Sequence, residues 1–357
     1  MSITASKSIH SPAAAQASAR GCPACEAVAS DIRRGVAWFA GMLGAASLLR
    51  LALEPRYWGG FYLAWLMLLL AYAFLMRRIL SRADPARVRL ALLANFVAIG
   101  VGYAMIGAAL GSAPGWRADD ALYRIECALF GRDPQQFLSP LRGPWVSTAA
   151  ALGYVSFVVF LTYLFLAEAF RLTRATGRLQ LELMRLYGIG YSCYILFPAA
   201  GPAFHHPSML APVAHSPVSA YLCAWVTRCC SQVDVWPSLH AAVCCFALIW
   251  SCRLHRRAFL LLIVPGVALM AGAVYLQYHY FIDMMAGCVL GVACILPLPR
   301  ADLAPITPET RANRPEHDPG LGQHEFPPNS TRPRTTGPRG QRSRQGMKCV
   351  TLGRTPR

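Results

Sequence analysis

The sequence predicts an all-α protein: a polytopic membrane helical bundle of about eight spans. Three observations carry this. The chain is 55% hydrophobic and 14% charged, against about 25% charged in a soluble globule, and its mean hydropathy is +0.38. Apolar stretches of roughly 20 residues, the length that crosses a bilayer as a helix, recur along it. Arginines gather in the tail and in the short connections between those stretches, the pattern of loops kept on the cytoplasmic side.

In chain order, spans are expected at 36–53, 60–77, 89–110, 145–169, 184–200, 239–253, 258–276 and 279–297. Residues 1–35 then form a cytoplasmic N-terminal segment, 36–298 the transmembrane domain, and 299–357 a basic cytoplasmic tail. Residues 1–30 lack a basic start followed by an apolar run, so the first span is expected to serve as an uncleaved insertion signal. The tail is rich in Pro, Arg, Thr and Gly with almost no apolar clusters, a composition that cannot build a core and predicts disorder. Arg33 and Arg34, the group Arg77 to Arg89, the group Arg171 to Arg185, and Arg253, Arg256 and Arg257 fall on one side for an even span count. Both termini are therefore expected in the cytoplasm. The opposite face, periplasmic or lumenal, receives 111–144, 201–238 and the turn 277–279. Within it, 118–134 reads as a short amphipathic helix at the outer interface. Leu122, Ile125, Leu129 and Phe130 are its apolar stripe and Gly131 its stop.

The net charge of +17 raises the question of nucleic acid. Its placement in loops and tail argues instead for anionic lipid headgroups as partners. Thirteen cysteines are mostly intrahelical, and Cys193, Cys244, Cys245, Cys252, Cys288 and Cys294 read as packing residues. Cys22 and Cys25 form a lone C-x-x-C without a second pair, too little for zinc. Cys127, Cys223, Cys229 and Cys230 fall on the outer face, where an oxidising compartment would allow one disulfide that the sequence leaves open. Oligomeric state is open.

Two segments carry chemistry. Trp236-Pro237-Ser238-Leu239-His240 opens the sixth span, and Gln277-Tyr278-His279-Tyr280-Phe281-Ile282-Asp283 opens the eighth. Ionisable residues at the mouths of membrane helices are costly unless they pair or work. His279 and Asp283 stand four apart, on one helix face. Asp283 can take a hydrogen bond from one ring nitrogen, fix the tautomer and leave the other lone pair free to attack phosphorus. His240 can protonate a leaving oxygen and later deprotonate an acceptor. Pro237 suits a first helical turn, whose free N–H groups, with the Ser238 hydroxyl, form an anion site. Tyr194 and the Phe197-Pro198-Ala199-Ala200-Gly201-Pro202 break end the fifth span on the same face and shape a pocket rim. The active site is thus expected on the outer face.

Pro-Ser-x-His followed by His-x-x-x-Asp resembles the type 2 phosphatidic acid phosphatase superfamily. Leu239 after the serine, the string His279 to Asp283, the rim with Gly201 and Pro202, and the 120–134 segment resemble its inositol phosphorylceramide synthase branch. The likeness covers roughly 95–300, and it is the ordered set that is specific. It implies a phosphorylated nucleophile at His279, an orienting Asp283 and an acid/base at His240; Ser238, Pro237, Leu239, Tyr194, Gly201 and Pro202 are the residues expected toward phosphate or substrate. Two departures stand out. Gly272 and Ala273 replace a Ser-Arg pair of the hydrolases, and the first motif lacks their Lys and Arg-Pro. The synthase-like branch also lacks that Arg. Arg124, Arg142 and Arg228 are the substitutes the outer segments offer.

The leading expectation is a metal-independent lipid phosphotransferase with no cofactor, moving a phosphoryl headgroup between membrane lipids. A lipid phosphate phosphatase, with water as acceptor, uses the same residues. A metal centre of two His and a carboxylate is disfavoured, because Asp283 is placed to orient His279 rather than to share an ion. A transporter would hold such residues at mid-membrane rather than at helix mouths. His205, His206 and His215 read as loop residues, and Tyr278, Tyr280 and Trp236 as interface anchors.

Overall fold

The computed structural model describes residues 23–54, 60–110, 116–132, 134–205 and 215–298. The expectations for the first 22 residues, for His206 and for the tail from 299 lie outside them. Among the described residues regular structure is helical throughout: α1 Pro23–Leu53, α2 Gly60–Ile79, α3 Pro85–Leu110, α4 Asp119–Phe130, α5 Pro144–Val155, α6 Phe157–Thr162, α7 Glu168–Arg171, α8 Arg174–Leu196, α9 Pro202–His205, α10 Pro217–Cys229, α11 Leu239–Leu254, α12 Arg256–Tyr275 and α13 Phe281–Ile295. Every expected span overlaps a helix: 145–169 is covered by α5 to α7 with a π-helical turn at Tyr163–Ala167 between the last two, and 184–200 runs past the end of α8 at Leu196. The stretches Cys25–Leu53, Pro85–Leu110, Pro144–Leu166 and Arg256–Tyr275 are long and apolar enough to cross a membrane, while α11 and α13 are apolar but shorter. The protein is an integral membrane protein.

Helix α8 differs from the rest. It starts at Arg174, ahead of the expected 184, behind a Thr173–Thr176 capping box, and it is buried almost all round. It packs along α1 and also meets α3 and α13. Its enclosure explains its polarity, because a side chain surrounded by protein needs partners rather than lipid compatibility. Asn95 of α3 donates to Gln180 Oε1 at 3.3 Å and accepts from Tyr72 of α2 at 2.8 Å. Each such interhelical bond is worth about 0.6–2 kcal/mol in a membrane.

The basic connections meet at one end. Arg33 donates to the Leu80 carbonyl, Arg178 pairs with Asp31, Arg171 contacts His255, and Arg253 donates to the Ile295 carbonyl. The C-terminus of α8 and the N-termini of α11 and α13 lie at the other end. Helices α11 and α13 cross tightly there. A methyl group at Gly287 or Gly291 would collide with the carbonyl of Ser238 or Ala242. These two glycines form a G-x-x-x-G, the small-residue seam that lets membrane helices approach backbone to backbone. Helix α12 runs beside α11 and packs on α5, against which α10 also leans.

Candidate active site

The turn before α13 is held by two bonds to one carbonyl. The Tyr278 and His279 N–H groups both donate to Ala273, at 3.1 and 3.2 Å. Helix α13 then starts with Tyr280 as its cap residue, and the Tyr280 N–H donates to Asp283 Oδ2 at 2.7 Å. The other carboxylate oxygen, Oδ1, lies 3.0 Å from His279 Nδ1. Asp283 thus closes the first helical turn and holds the imidazole in one motion. With Nδ1–H donated to the carboxylate, the Nε2 lone pair of His279 is free. It faces Nδ1 of His240 at 3.2 Å.

His240 is placed by the start of α11. Ser238 is the N-cap, its hydroxyl accepting from Ala241 N–H at 3.3 Å. Its own N–H donates to the Asp283 carbonyl at 3.1 Å, fastening α11 to α13. The His240 ring stacks on Tyr154 at 4.8 Å and leans on Phe157 at 4.3 Å. His279 and Asp283 are 2% and 0% exposed, whereas His240 is half-buried and lines a cavity of about 410 Å³. That cavity reaches Tyr103 of α3, Tyr191 and Tyr194 of α8, and Asp234.

The other expected site residues take framework positions around this line. Pro237 follows a cis peptide, and Pro237, Ser238 and Leu239 are buried. Leu239 N–H donates to the Tyr194 hydroxyl at 3.4 Å, so Tyr194 is at once a cavity wall and a prop for α11. Gly201 has φ +88°, and a side chain there would strike the Tyr278 carbonyl. Only glycine fits both demands. Pro202 starts α9. Arg124 donates to the Asp120 carbonyl of its own helix, and neither it, Arg142 nor Arg228 lines the cavity. His205 pairs with Asp120 at 2.9 Å, and His215 is exposed. The described cysteines, including Cys127, Cys223, Cys229 and Cys230, are free thiols.

Two residues that the sequence reading passed over hold the site together. Asp119 accepts from the Ala200 and Gly201 N–H groups, each at 2.9 Å, and from the Tyr280 hydroxyl at 3.2 Å. Glu126 accepts from the Phe281 and Ile282 N–H groups at the start of α13. Both lie on the buried face of α4, while Ile125, Leu129 and Phe130 point outward. The amphipathic helix therefore forms, with its Gly131 stop in the left-handed region and, of its apolar stripe, only Leu122 turned inward. In a bilayer setting the apolar stripe seeks lipid, and the carboxylates seek the unpaired N–H groups of helix ends. The same logic corrects Tyr280 and Tyr278. They are buried pillars, bonded to Asp119 and the Cys223 carbonyl, rather than interface anchors.

The family model described as the PAP2 superfamily matches residues 120–296, which include His240, His279, Asp283 and most of the cavity wall. Members of that superfamily are phosphatases and phosphotransferases acting on lipid phosphates. No curated protein and no solved structure matches the chain.

Proposed function

We propose that this chain is a lipid phosphotransferase that moves a phosphoryl headgroup between membrane lipids through a phosphohistidine at His279. The observation that carries this is the hydrogen-bonded line Asp283–His279–His240 at one end of the bundle. In the first half-reaction Nε2 of His279 attacks phosphorus, and the bond to the leaving oxygen breaks. A protonated His240 gives that oxygen its proton, while Asp283 steadies the positive charge on the nucleophile. In the second, an acceptor hydroxyl loses its proton to His240 and attacks the same phosphorus. The P–N bond then breaks and the His279 lone pair returns. The 3.2 Å contact between the rings must open to admit phosphorus.

Resemblance to the inositol phosphorylceramide synthase branch supports an inositol-phosphate lipid as donor. The apolar and aromatic lining beside His240 favours an amphiphilic alcohol over bulk water as acceptor. Hydrolysis of the same ester is the second reading, since water can use the same three residues. The reaction is read as metal-independent, the site as facing periplasm or lumen, and both termini as cytoplasmic. Clustering of the basic connections at the far end supports this orientation.

The test uses purified protein in mixed micelles with chelator, supplied with phosphatidylinositol or phosphatidic acid, with and without ceramide or diacylglycerol. Lipid mass spectrometry should reveal a new phosphoryl-headgroup lipid that requires the acceptor and disappears in His279→Ala. Phosphate or phosphoinositol released regardless of acceptor would make it a hydrolase. Loss of turnover with chelator would overturn metal independence.

A further inference from the structure

We propose that the cavity beside His240 is a subsite for an ammonium group, with Asp234 as its counter-charge and tyrosine rings as its walls. Asp234 lies on the strap between α10 and α11, its backbone bridged to Ala199. Its carboxylate takes a hydrogen bond from the Tyr103 hydroxyl at 2.8 Å, and that hydroxyl in turn accepts from Ser231 N–H at 3.1 Å. The acid is thereby held at a fixed point of the cavity wall. Among the described residues no Lys or Arg lines that wall; His240, on the same wall, and His279 are the titratable groups that feel the Asp234 charge, and neither is hydrogen-bonded to it. The rest of the surface is aromatic or apolar, with Tyr154, Phe157, Tyr187, Tyr191 and Tyr194 facing the space.

A carboxylate held at the wall of a cavity lined mainly by aromatic and apolar groups is a natural partner for a cation. Aromatic faces attract the same kind of partner, and most strongly when it is desolvated. A ligand anion placed there would meet repulsion, and a neutral polyol would leave the charge unanswered. An ammonium or trimethylammonium satisfies both the acid and the rings. Two sources supply this chemistry. With a phosphoinositol donor, the ammonium belongs to an amphiphilic amino-alcohol acceptor whose hydroxyl reaches His240. With a zwitterionic donor, it belongs to the transferred headgroup, which then brings its own cation to a site without arginine. Only this choice of source rests on the phosphotransfer reading; the binding itself does not.

The test is thermal unfolding of the full chain in maltoside micelles, titrated with choline, ethanolamine, phosphocholine, myo-inositol and inorganic phosphate. Wild type, His279→Ala, Asp234→Asn and Asp234→Glu are compared. Ammonium compounds should raise the unfolding midpoint of wild type and His279→Ala, and bind at least about tenfold more weakly to Asp234→Asn, with recovery in Asp234→Glu. Turnover arms then separate the sources: phosphatidylinositol with an amino-alcohol or a neutral diol acceptor, and phosphatidylcholine or phosphatidic acid with diacylglycerol. Asp234→Asn should slow only the ammonium-bearing member of one pair, which names the source. Equal ammonium binding by wild type and Asp234→Asn, or slowing of all pairs alike, would overturn the proposal. Ammonium binding that persists in a chain without phosphotransfer would defeat the functional reading and leave the subsite standing.

Discussion

At the scale of single residues, the two histidines differ in what surrounds them, and the difference fits the roles proposed for them. His279 is locked by Asp283 and nearly inaccessible, which suits an oriented nucleophile. His240 stands at the cavity, where protons and oxygens pass. His279→Ala should abolish product formation, and His240→Ala should nearly do so. Asp283→Asn should keep the fold, since an amide oxygen can still accept from Tyr280 N–H, but turnover should fall by about 10³–10⁴-fold as the tautomer is lost. Product assays on folded, monodisperse variants check all three. His279 and Asp283 were legible in the sequence because a four-residue spacing is local information. Asp119 and Glu126 were not, because their partners lie 81 to 161 residues away along the chain and nothing in their own segment distinguishes them from solvent-facing acids.

Among the elements, α4 acts as a brace whose carboxylates cap the start of α13 and the rim at Gly201. Glu126→Ala removes acceptors from two helix-terminal N–H groups. A cost of about 1–2 kcal/mol is expected, read as a lower unfolding midpoint, together with reduced turnover from a displaced His279. The crossing of α11 and α13 is the second structural requirement. Gly287→Ala should force the helices apart at Ser238 and lower activity more than stability, because the 3.2 Å approach of the two rings depends on that seam. An inactive but well-folded Gly287→Ala supports this, and an active one contradicts it. The packing role of Gly287 and Gly291 was not read from the sequence, and neither was α10. Its short run, Pro217–Cys229, lies in a weakly charged connection whose helical character rests on the Ser216–Ser219 capping box rather than on a span-length apolar stretch.

For the whole molecule, hydropathy and arginine placement were enough to read a helical bundle with basic connections at one end and the histidines at the other. Span starts were less legible. Helix α1 extends back to Pro23 and α8 to Arg174 because both continue beyond their apolar portions into protein contacts, where hydropathy carries no signal. Tags at either terminus should be protected in sealed right-side-out vesicles and cleaved in inverted ones; the opposite result would reverse the orientation. Rapid quench of the full chain with donor lipid and no acceptor, followed by mass spectrometry of its peptides under alkaline conditions, reads the covalent intermediate itself. An acid-labile phosphoryl-headgroup adduct on His279 that vanishes when acceptor is added is the expected result. Turnover without any adduct, or an adduct on another residue while His279→Ala stays active, would contradict it.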